Sequence, residues 1–322
     1  MSVEACLPPD LRGPTTTITR IAAGLSGASV YRVDAAGKLF VLKVSGESEP
    51  AADWRRRLQI QRLAAEAGLA PPILHADEPR RAVVSAFVAD RSFVAFYADP
   101  STHEAAIAQL GRTLRRVHDL PLPPDATLQD PLALLASVWP GLQAGFALPG
   151  FTHDVIQRLL AEEPPADGRA PVLSHNDVNP TNLVYDGESI LLLDWQTAGP
   201  MHPFYDLGAI SVFLRMTEET CRKLLAAHEG GLVDALDALP ARFTYSRRVA
   251  AVVCGTMFLY LARQLQHPGA TGAETLASTL SLSEVYQQMQ AGSLNIASAD
   301  GQWAFGLALL KESLSDPVRA PS

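Results

Sequence analysis

Hydrophobic and polar residues alternate in the first part of the chain with the period of two that β-strands require. Three such segments, rich in Thr, Ile and Val, lie at residues 15–22, 29–33 and 39–44, and a further pair lies at 73–75 and 82–88. Turns that contain glycine or proline separate them, so the pattern predicts short strands. Between the two groups, Trp54 and Leu58 belong to a helical pattern that begins at Ala51 and is expected to end at Gly68.

The remainder of the chain, residues 91–322, has mainly helical spacing. Hydrophobic residues recur every three or four positions within 103–120, and helices are again predicted from Asp206 onward. A short strand–loop–strand unit interrupts them at 172–195. A β-rich part at 1–90 followed by a helical part predicts an α+β fold of two lobes, with a cleft between them.

Composition and charge narrow the class of protein. The 322 residues are 48% hydrophobic and 19% charged, a balance that supports a substantial core and argues against disorder. The formal net charge of −8 weakens an interpretation as a binder of nucleic acid or of an anionic membrane, because those partners favour a basic surface. The same charge slightly favours a cationic substrate.

Cysteine use and apolar runs favour a soluble, cytoplasmic protein. The three cysteines are widely spaced and form no CxxC or Cys/His ligand pattern, so we expect neither a disulfide framework nor a zinc site. The first residues contain prolines where a signal peptide needs an apolar run. The longest apolar stretch, Val249–Ala262, is shorter than the about 20 residues that span a bilayer and predicts a buried helix. Nothing in the pattern indicates an oligomeric state.

The most informative stretch is a polar loop between two apolar segments of strand type. It holds His175, Asp177 and Asn182, and a second apolar segment ends in Asp194. Phosphoryl transfer needs such groups: a carboxylate that accepts the proton of the attacking hydroxyl, and hard oxygen ligands for Mg²⁺. The alternative is that Asp177 and Asn182 only shape a turn, since Asp and Asn-Pro favour turns.

The spacing His-x-Asp-x4-Asn, followed by an apolar strand and Asp, resembles the signature of the aminoglycoside phosphotransferase and choline kinase-like superfamily. Further segments resemble this family along most of the chain. They are the glycine turn at 24–32, the lysine-bearing strand Val41–Val44, the helix end Arg116–Pro121 and the segment Tyr205–Gly208. The resemblance implies a protein kinase-like fold, with 1–90 as the nucleotide-binding lobe and 91–322 as the helical lobe with the catalytic loop and the acceptor site.

The resemblance also implies roles for the polar loop. Asp177 would be the catalytic base, and Asn182 and Asp194 would hold Mg²⁺. His175 and Asp206 would brace the loop by hydrogen bonds. The metal would stabilise the charge of the transferred phosphoryl group.

For the nucleotide, the resemblance implies contacts from the first lobe. Lys43 would contact the α- and β-phosphates, and Ser26, Gly27 and Ser29 would lie over the phosphates. Ser85 to Phe87 would form the hinge that touches adenine. Taken alone, Lys43 could instead be a lysine that protects a sheet edge from aggregation.

Two features of the sequence depart from the commonest family pattern. Asn176, within a His-Asn-Asp sequence, and Trp195 lean toward the choline and thiamine kinase-like branches. The helix after Lys43 normally supplies a glutamate that pairs with the lysine, but Gln59 stands at the position aligned to it. We expect the carbonyl of Gln59 to lie within about 4 Å of the Lys43 ammonium and to accept a hydrogen bond. The neighbouring arginines at 55–57 fit a solvated helix face better than an anion site.

These observations predict an ATP- and Mg²⁺-dependent kinase that transfers the γ-phosphoryl group to a hydroxyl of a small molecule. GTP is an open alternative as donor. The alternative function is a catalytically weak nucleotide-binding scaffold, motivated by the absent helix glutamate. Intact Asp177, Asn182 and Asp194 argue against it.

The predicted acceptor is a small molecule such as an amino alcohol, a thiamine-like compound or an aminoglycoside. A cationic acceptor needs an aromatic wall or carboxylates near its charge. Candidate aromatic residues are Trp195, Tyr205, Phe213, Tyr245 and Tyr260, and candidate carboxylates are Glu218, Glu219 and Asp234.

Overall fold

A strand-rich part comes first and a mainly helical part follows, as predicted. The computed structural model describes residues 2–21, 28–46, 49–124, 126–231 and 238–314. The strands are β1 (Thr17–Ile21), β2 (Ser29–Ala35), β3 (Lys38–Val44), β4 (Ile73–Asp77), β5 (Ala82–Ala86), β6 (Val172–Ser174), β7 (Leu183–Tyr185), β8 (Ile190–Leu192) and β9 (Gly199–Met201). The helices are α1 (Ala51–Glu66), α2 (Phe93–Ala98), α3 (His103–His118), α4 (Pro131–Gln143), α5 (Gly150–Ala161), α6 (Phe204–Phe213), α7 (Glu218–Glu229), α8 (Ala241–Gln264), α9 (Leu282–Gln290) and α10 (Ala299–Glu312). Short 3-10 turns occupy Val3–Cys6, Pro9–Leu11, Pro180–Asn182 and Trp195–Thr197.

The chain divides into two compact units. Unit 1 consists of Met1–Ala126 with Pro180–Ala198, and unit 2 consists of Thr127–Asn179 with Gly199–Ser322. The predicted strand–loop–strand segment therefore contributes to both, with Asp177 in unit 2 and Asn182 and Asp194 in unit 1. The assignment of 1–90 and 91–322 as functional lobes stays a prediction.

Unit 1 is built on a five-stranded antiparallel sheet with the strand order β1-β2-β3-β5-β4. Ala36 and Gly37 join β2 to β3 with φ angles of 52° and 78°, which suit the tight turn of a twisted hairpin. Lys43 lies in β3, opposite Val30 of β2 and Val83 of β5. An interior strand therefore carries this lysine, and the alternative of an edge-protecting lysine is wrong.

The N-terminal turns close one face of the sheet. The core cluster on this face consists of Cys6, Leu7, Val33, Leu42, Ala82 and Val84. The Arg12 guanidinium secures the covering segment, since its Nε donates to the carbonyl oxygen of Leu7 at 2.8 Å. Because successive side chains of a strand point to opposite faces, Lys43 faces away from this cluster.

A hairpin of β7 and β8 completes unit 1. Leu183 and Leu192 are partners in its antiparallel register. The backbone N–H of Leu192 also donates to the carbonyl oxygen of Leu69, just after α1, at 2.8 Å. The backbone N–H of Arg91 donates to the carbonyl oxygen of Tyr185, at the other end of the hairpin, at 2.7 Å. Both ends of the hairpin are thus attached to the N-terminal part of the unit.

Unit 2 is mainly helical, and α8 packs against α4, α5, α6 and α10. Most residues of Val249–Ala262 are buried within α8, so the prediction of a buried helix is confirmed. Among the described residues, no helix combines the length and apolar character that a membrane crossing needs.

Glycines allow the closest helix crossings of unit 2. A Cβ at Gly255 of α8 would lie 2.9 Å from the carbonyl oxygen of Gly306 in α10. A Cβ at Gly208 of α6 would lie 2.8 Å from the backbone nitrogen of Arg247 in α8. Real Cβ atoms do not approach backbone atoms this closely, so only glycine permits these helix spacings without a shift.

Two elements were not predicted from the sequence, α2 and β9. Strand β9 pairs antiparallel with β6, and Leu173 lies opposite Pro200. Glycine and proline are poor strand formers, so a Gly-Pro-Met segment carries no strand signal of its own. Its extended form depends on the partner strand. The other strands and helices confirm the predicted α+β arrangement.

Candidate active site

Two of the predicted site residues lie at the open end of the β7–β8 hairpin in unit 1. Asn182 ends a 3-10 turn just before β7, and Asp194 lies two residues beyond β8. The backbone N–H of Leu193 donates to the carbonyl oxygen of Asn182 at 2.8 Å. Antiparallel pairing therefore brings Asn182 next to the residue that precedes Asp194. Asp194 has a φ of 59°, a left-handed conformation that aspartate tolerates better than most residues.

Lys43 forms an ion pair with Asp194. Its Nζ lies 2.7 Å from Oδ1 of Asp194, although 151 residues separate them in the chain. The two side chains are 23% and 25% exposed, so solvent partly screens the pair and a ligand can reach it.

The expected contact between Gln59 and Lys43 is wrong. Gln59 is exposed, and the carboxylate beside the lysine is that of Asp194. Gln59 misses Lys43 because of the rotation of α1 about its own axis, which turns the side chain at position 59 toward solvent. Apart from Asp53, its exposed positions form a stripe at helical spacing, namely 52, 55, 59, 62 and 66.

Arg57 occupies the inner side of α1 instead. Its Nη2 donates to Oγ of Ser45 at 2.8 Å and to Oε2 of Glu49 at 2.6 Å. The side chain is only 11% exposed, so the expectation of a solvated face is wrong for this arginine. The available signal was its spacing of three residues from Trp54, which is buried.

The other predicted nucleotide contacts are distributed along the sheet of unit 1. Ser29 begins β2 and pairs with Val44 at the end of β3. Ser85 lies in β5, next to β3, and Phe87 follows with 38% of its surface exposed. Ser26 and Gly27 lie outside the described residues. The nucleotide roles of all five residues stay predictions.

In unit 2, the loop that follows β6 is held by the carboxylate of Asp206. The backbone N–H of His175 donates to Oδ2 of Asp206, and that of Asn176 donates to Oδ1, each at 2.8 Å. His175 and Asp206 are fully buried. Asp206 lies in the first turn of α6, where the helix dipole favours a negative charge.

Asn176 gives the loop its sharp turn. Its φ is 64°, and asparagine is among the non-glycine residues that most often adopt this left-handed conformation. The Asn176 side chain donates from Nδ2 to the carbonyl oxygen of Gly199 at 3.3 Å. This bond ties the loop to β9, the strand that pairs with β6.

Asp177 follows directly and is half-buried. Nδ2 of Asn179 donates to Oδ1 of Asp177 at 3.0 Å, so an amide orients the carboxylate. Sequence reasoning missed Asn179, because its amide acts through a neighbouring side chain and carries no motif of its own. Burial, and then the charge of Asp177, raise the pKa of the Cys254 thiol to about 12. Burial together with Cys254, Asp206 and Asp177 raises the pKa of Tyr205 well above its ordinary value.

The oxygen ligands at the hairpin suit a magnesium ion. Asn182 and Asp194 offer an amide and a carboxylate, the hard donors that Mg²⁺ prefers. Among the residues the structure describes, no group of three or more His, Cys, Asp or Glu side chains could hold a metal ion. Mg²⁺ commonly uses one or two protein ligands and completes its coordination with phosphate and water, so this small donor set fits it.

Several candidates for the acceptor site are excluded by burial. Trp195, Tyr205 and Tyr245 are buried, with 2%, 7% and 3% exposure. Phe213 and Tyr260 are only partly buried, so burial does not exclude them. Of the candidate carboxylates, Glu218 is half-buried, Glu219 is exposed and pairs with Lys223, and Asp234 lies outside the described residues.

Comparisons with known proteins concern the family and the fold of the chain. The model of the phosphotransferase enzyme family matches residues 17–241. A search of curated proteins finds no match.

Solved structures with a similar fold cover nearly the whole chain. A choline/ethanolamine kinase family protein from Mesorhizobium loti has a TM-score of 0.59 and 21% identity, covering 96% of this chain and 98% of that chain. Choline kinase from Streptococcus pneumoniae has a TM-score of 0.62 and 12% identity, covering 92% and 93%. A spectinomycin phosphotransferase in complex with ADP and spectinomycin has a TM-score of 0.54 and 15% identity, covering 92% and 94%. At these identities the likeness concerns the fold, and it confirms the predicted kinase-like α+β class.

Proposed function

The chain belongs to the phosphotransferase enzyme family, and from this premise we propose that it transfers the γ-phosphoryl group of ATP to a hydroxyl group of a small molecule, with Mg²⁺ as the metal. The family match covers most of the chain and confirms both the resemblance inferred from the sequence and the prediction of a phosphotransferase enzyme. The donor, the metal and the acceptor are the parts that we propose.

The ion pair of Lys43 and Asp194, at 2.7 Å, is the observation that carries the proposal. A lysine on an interior strand and a carboxylate at the end of a hairpin are joined across 151 residues of chain. Neither side chain is fully buried, so each remains available to a ligand. Lys43 would exchange the carboxylate for phosphate oxygens, where its positive charge offsets the negative charge of the nucleotide.

Asn182 and Asp194 would hold the metal. Their backbones are linked through Leu193, whose N–H donates to Asn182 at 2.8 Å, so the two ligands belong to one rigid hairpin. A metal at this position would neutralise charge on the phosphates during transfer.

Asp177 would accept the proton of the attacking hydroxyl while the oxygen of that hydroxyl bonds to phosphorus. The amide of Asn179 orients one carboxylate oxygen at 3.0 Å. Asp206 keeps the backbone of the loop in place through two N–H groups, at His175 and Asn176.

For the acceptor, we propose an alcohol that bears a cationic or amine group. The net charge of −8 favours such a ligand over an anionic one. Structures with this fold include a choline kinase and a spectinomycin phosphotransferase, which fits the proposal. Phe213 and Tyr260 are the remaining aromatic candidates for contact with the cation.

We place the reaction in the cytoplasm, where ATP is available and the free cysteines of this chain stay reduced.

A coupled assay of ADP release tests the proposed reaction. The purified protein would be given MgATP and, in turn, amino alcohols, thiamine, aminoglycosides, methylthioribose and simple sugars. We expect acceptor-dependent ADP release with at least one amine-bearing alcohol and none without Mg²⁺. If MgATP binds in a direct binding measurement but no acceptor stimulates ADP release, the alternative of a nucleotide-binding scaffold replaces the proposal.

A further inference from the structure

Arg57 differs from its neighbours in the run of arginines on α1. The side chain of Arg55 is 61% exposed and pairs with Glu78 at the surface, whereas that of Arg57 is 11% exposed. The Nε of Arg57 is buried and has no acceptor among the residues that the structure describes. A buried guanidinium loses much of its hydration, so its position must be stabilised by specific partners.

Its hydrogen-bond partners belong to the segment that follows β3. Ser45 comes directly after this strand, and its Oγ accepts from Nη2 of Arg57 at 2.8 Å. The carboxylate of Glu49 accepts from the same nitrogen at 2.6 Å. Arg57 therefore connects α1 to the end of the strand that carries Lys43.

Helix α1 is also a support of Asp194. It packs against the 3-10 turn Trp195–Thr197, which begins at the residue after Asp194. Leu69, just beyond the helix, accepts the N–H of Leu192 at the end of β8. Both sides of Asp194 are thus attached to α1 or to its end.

The charge of Asp194 reaches Arg57. Burial lowers the pKa of the Arg57 guanidinium, and the carboxylates of Glu49 and Asp194 raise it. Four charged groups therefore lie in one neighbourhood of unit 1, two positive and two negative. Lys43 is bonded to Asp194, and Arg57 is bonded to Glu49.

We propose that Arg57 is a positioning residue of the nucleotide site, whose second positive charge beside Asp194 allows Lys43 to leave that carboxylate for the phosphates. This inference rests on the proposed function. Asp194 would otherwise lose its only bonded cation among the described residues when Lys43 turns to the nucleotide. The positive charge of Arg57, on the side of α1, would then compensate the negative charge of Asp194. The carboxylate of Glu49 partly neutralises Arg57 and so limits this effect.

The proposal has an electrostatic signature. A positive charge in this neighbourhood attracts a phosphate group and repels Mg²⁺. Loss of the Arg57 charge should therefore weaken the binding of metal-free ADP and reduce the Mg²⁺ concentration needed for half-saturation. Loss of the Glu49 charge should do the reverse, because the positive charge of Arg57 is then less neutralised.

The test compares Arg57→Gln with Glu49→Gln in the full-length protein. Isothermal titration would measure ADP affinity in the presence of a chelator, and a second titration would measure Mg²⁺ dependence at saturating ADP. We expect Arg57→Gln to lower the affinity for metal-free ADP by about threefold to tenfold, and Glu49→Gln to raise this affinity. The Mg²⁺ concentration needed for half-saturation should fall in Arg57→Gln and rise in Glu49→Gln. Arg57→Lys should retain most of the affinity, since it keeps the charge.

Arg55→Gln is the matched control, because it removes the same charge from an exposed position of the same helix. It should change both quantities by less than about twofold. If Arg57 only braces the fold, Arg57→Gln and Glu49→Gln will shift affinity in the same direction, and the proposal is overturned. If the unaltered protein binds no ADP with or without Mg²⁺, the proposed function itself fails, which is a different outcome.

Discussion

At the scale of single residues, the loop after β6 depends on the buried carboxylate of Asp206. A buried carboxylate is costly unless hydrogen bonds compensate for lost hydration. Here two backbone N–H groups, of His175 and Asn176, supply those bonds at 2.8 Å. Asp206 thus fixes two peptide units immediately before Asp177, and the direction of the proposed base follows from a residue that need not touch the substrate.

Replacement of Asp177 by asparagine tests the proposed base. The amide keeps the shape of the side chain but cannot accept the hydroxyl proton. We expect kcat for acceptor-dependent ADP release to fall by about 10² to 10⁴, while MgADP binding stays nearly unchanged. Steady-state kinetics and calorimetry measure the two quantities.

Asp154, an exposed aspartate on α5, offers a control for this substitution. Asp154→Asn removes the same charge and should leave kcat unchanged. If Asp177→Asn retains more than about a tenth of the original kcat, Asp177 is not the base.

Asp194→Ala should act on the metal. The change removes a proposed Mg²⁺ ligand and also the partner of Lys43. We expect the Mg²⁺ concentration for half-maximal activity to rise and nucleotide binding to weaken together, by about tenfold or more. Titration of activity with Mg²⁺ at fixed ATP measures the first effect. Asp10→Ala, at an exposed position of unit 1, is the control, and an unchanged metal dependence in Asp194→Ala would remove Asp194 from the metal site.

At the scale of secondary-structure elements, the crossing of α6 and α8 positions Asp206. Gly208 lies two residues beyond Asp206 on α6, and an added Cβ would meet the backbone of Arg247 at 2.8 Å. Backbone atoms of a helix cannot move aside individually. A larger residue at 208 must therefore displace one helix from the other, and with it the first turn of α6.

Gly208→Ala should consequently destabilise the protein. We expect a loss of about 1–3 kcal/mol in the free energy of unfolding, because overpacking exceeds the helix propensity that alanine contributes. Urea denaturation followed by circular dichroism measures the change. Gly141→Ala, in α4, is the matched control, because nothing lies within 4 Å of a Cβ there. It should be neutral or stabilising by up to about 1 kcal/mol, and equal effects of the two substitutions would contradict the crowding argument.

At the scale of the whole molecule, two partly buried histidines make stability depend on pH. His202 follows β9; its Nδ1 accepts the N–H of Phe204 at 3.2 Å, and its Nε2 bonds Oδ1 of Asp167 at 3.0 Å. Burial lowers the pKa of His202 below its ordinary value, and burial lowers that of His267 as well. The folded state therefore prefers both imidazoles neutral.

The sign of the pH dependence follows from linkage. Below the unfolded pKa of about 6.5, the unfolded chain binds more protons than the folded chain, so stability falls as pH decreases from there. The lowered pKa of Asp167 matters only at more acidic pH, as the pH falls below its ordinary carboxyl range. We expect Tm to drop by a few degrees, on the order of 2–4 °C per histidine, between pH 7.5 and 5.5.

Differential scanning fluorimetry across this pH range measures the shift. His202→Gln should make the decline shallower, because glutamine does not titrate. The double variant, His202→Gln with His267→Gln, should show the shallowest decline of Tm. If Tm falls as steeply in the double variant as in the unaltered protein, the pH dependence belongs to other groups.

The sequence by itself determined most local elements and predicted the reacting groups. Strand alternation and helical spacing predicted nearly every element, because these patterns arise from the geometry of the backbone over a few residues. The spacing His-x-Asp-x4-Asn predicted a phosphotransferase because its three polar residues lie within eight positions of the chain, so the sequence alone displays them together. The elements that were missed, α2 and β9, are short, and β9 is extended only because β6 pairs with it.

Tertiary structure alone decided which side chains meet across the chain. Arginines occupy three consecutive positions of α1, yet only Arg57 is largely buried. The packing of α1 against the turn after Asp194 sets the rotation of the helix. The same rotation leaves Gln59 exposed, and the carboxylate that pairs with Lys43 is that of Asp194. Helical spacing states which residues share a face, but the direction of that face depends on contacts with residues more than a hundred positions away.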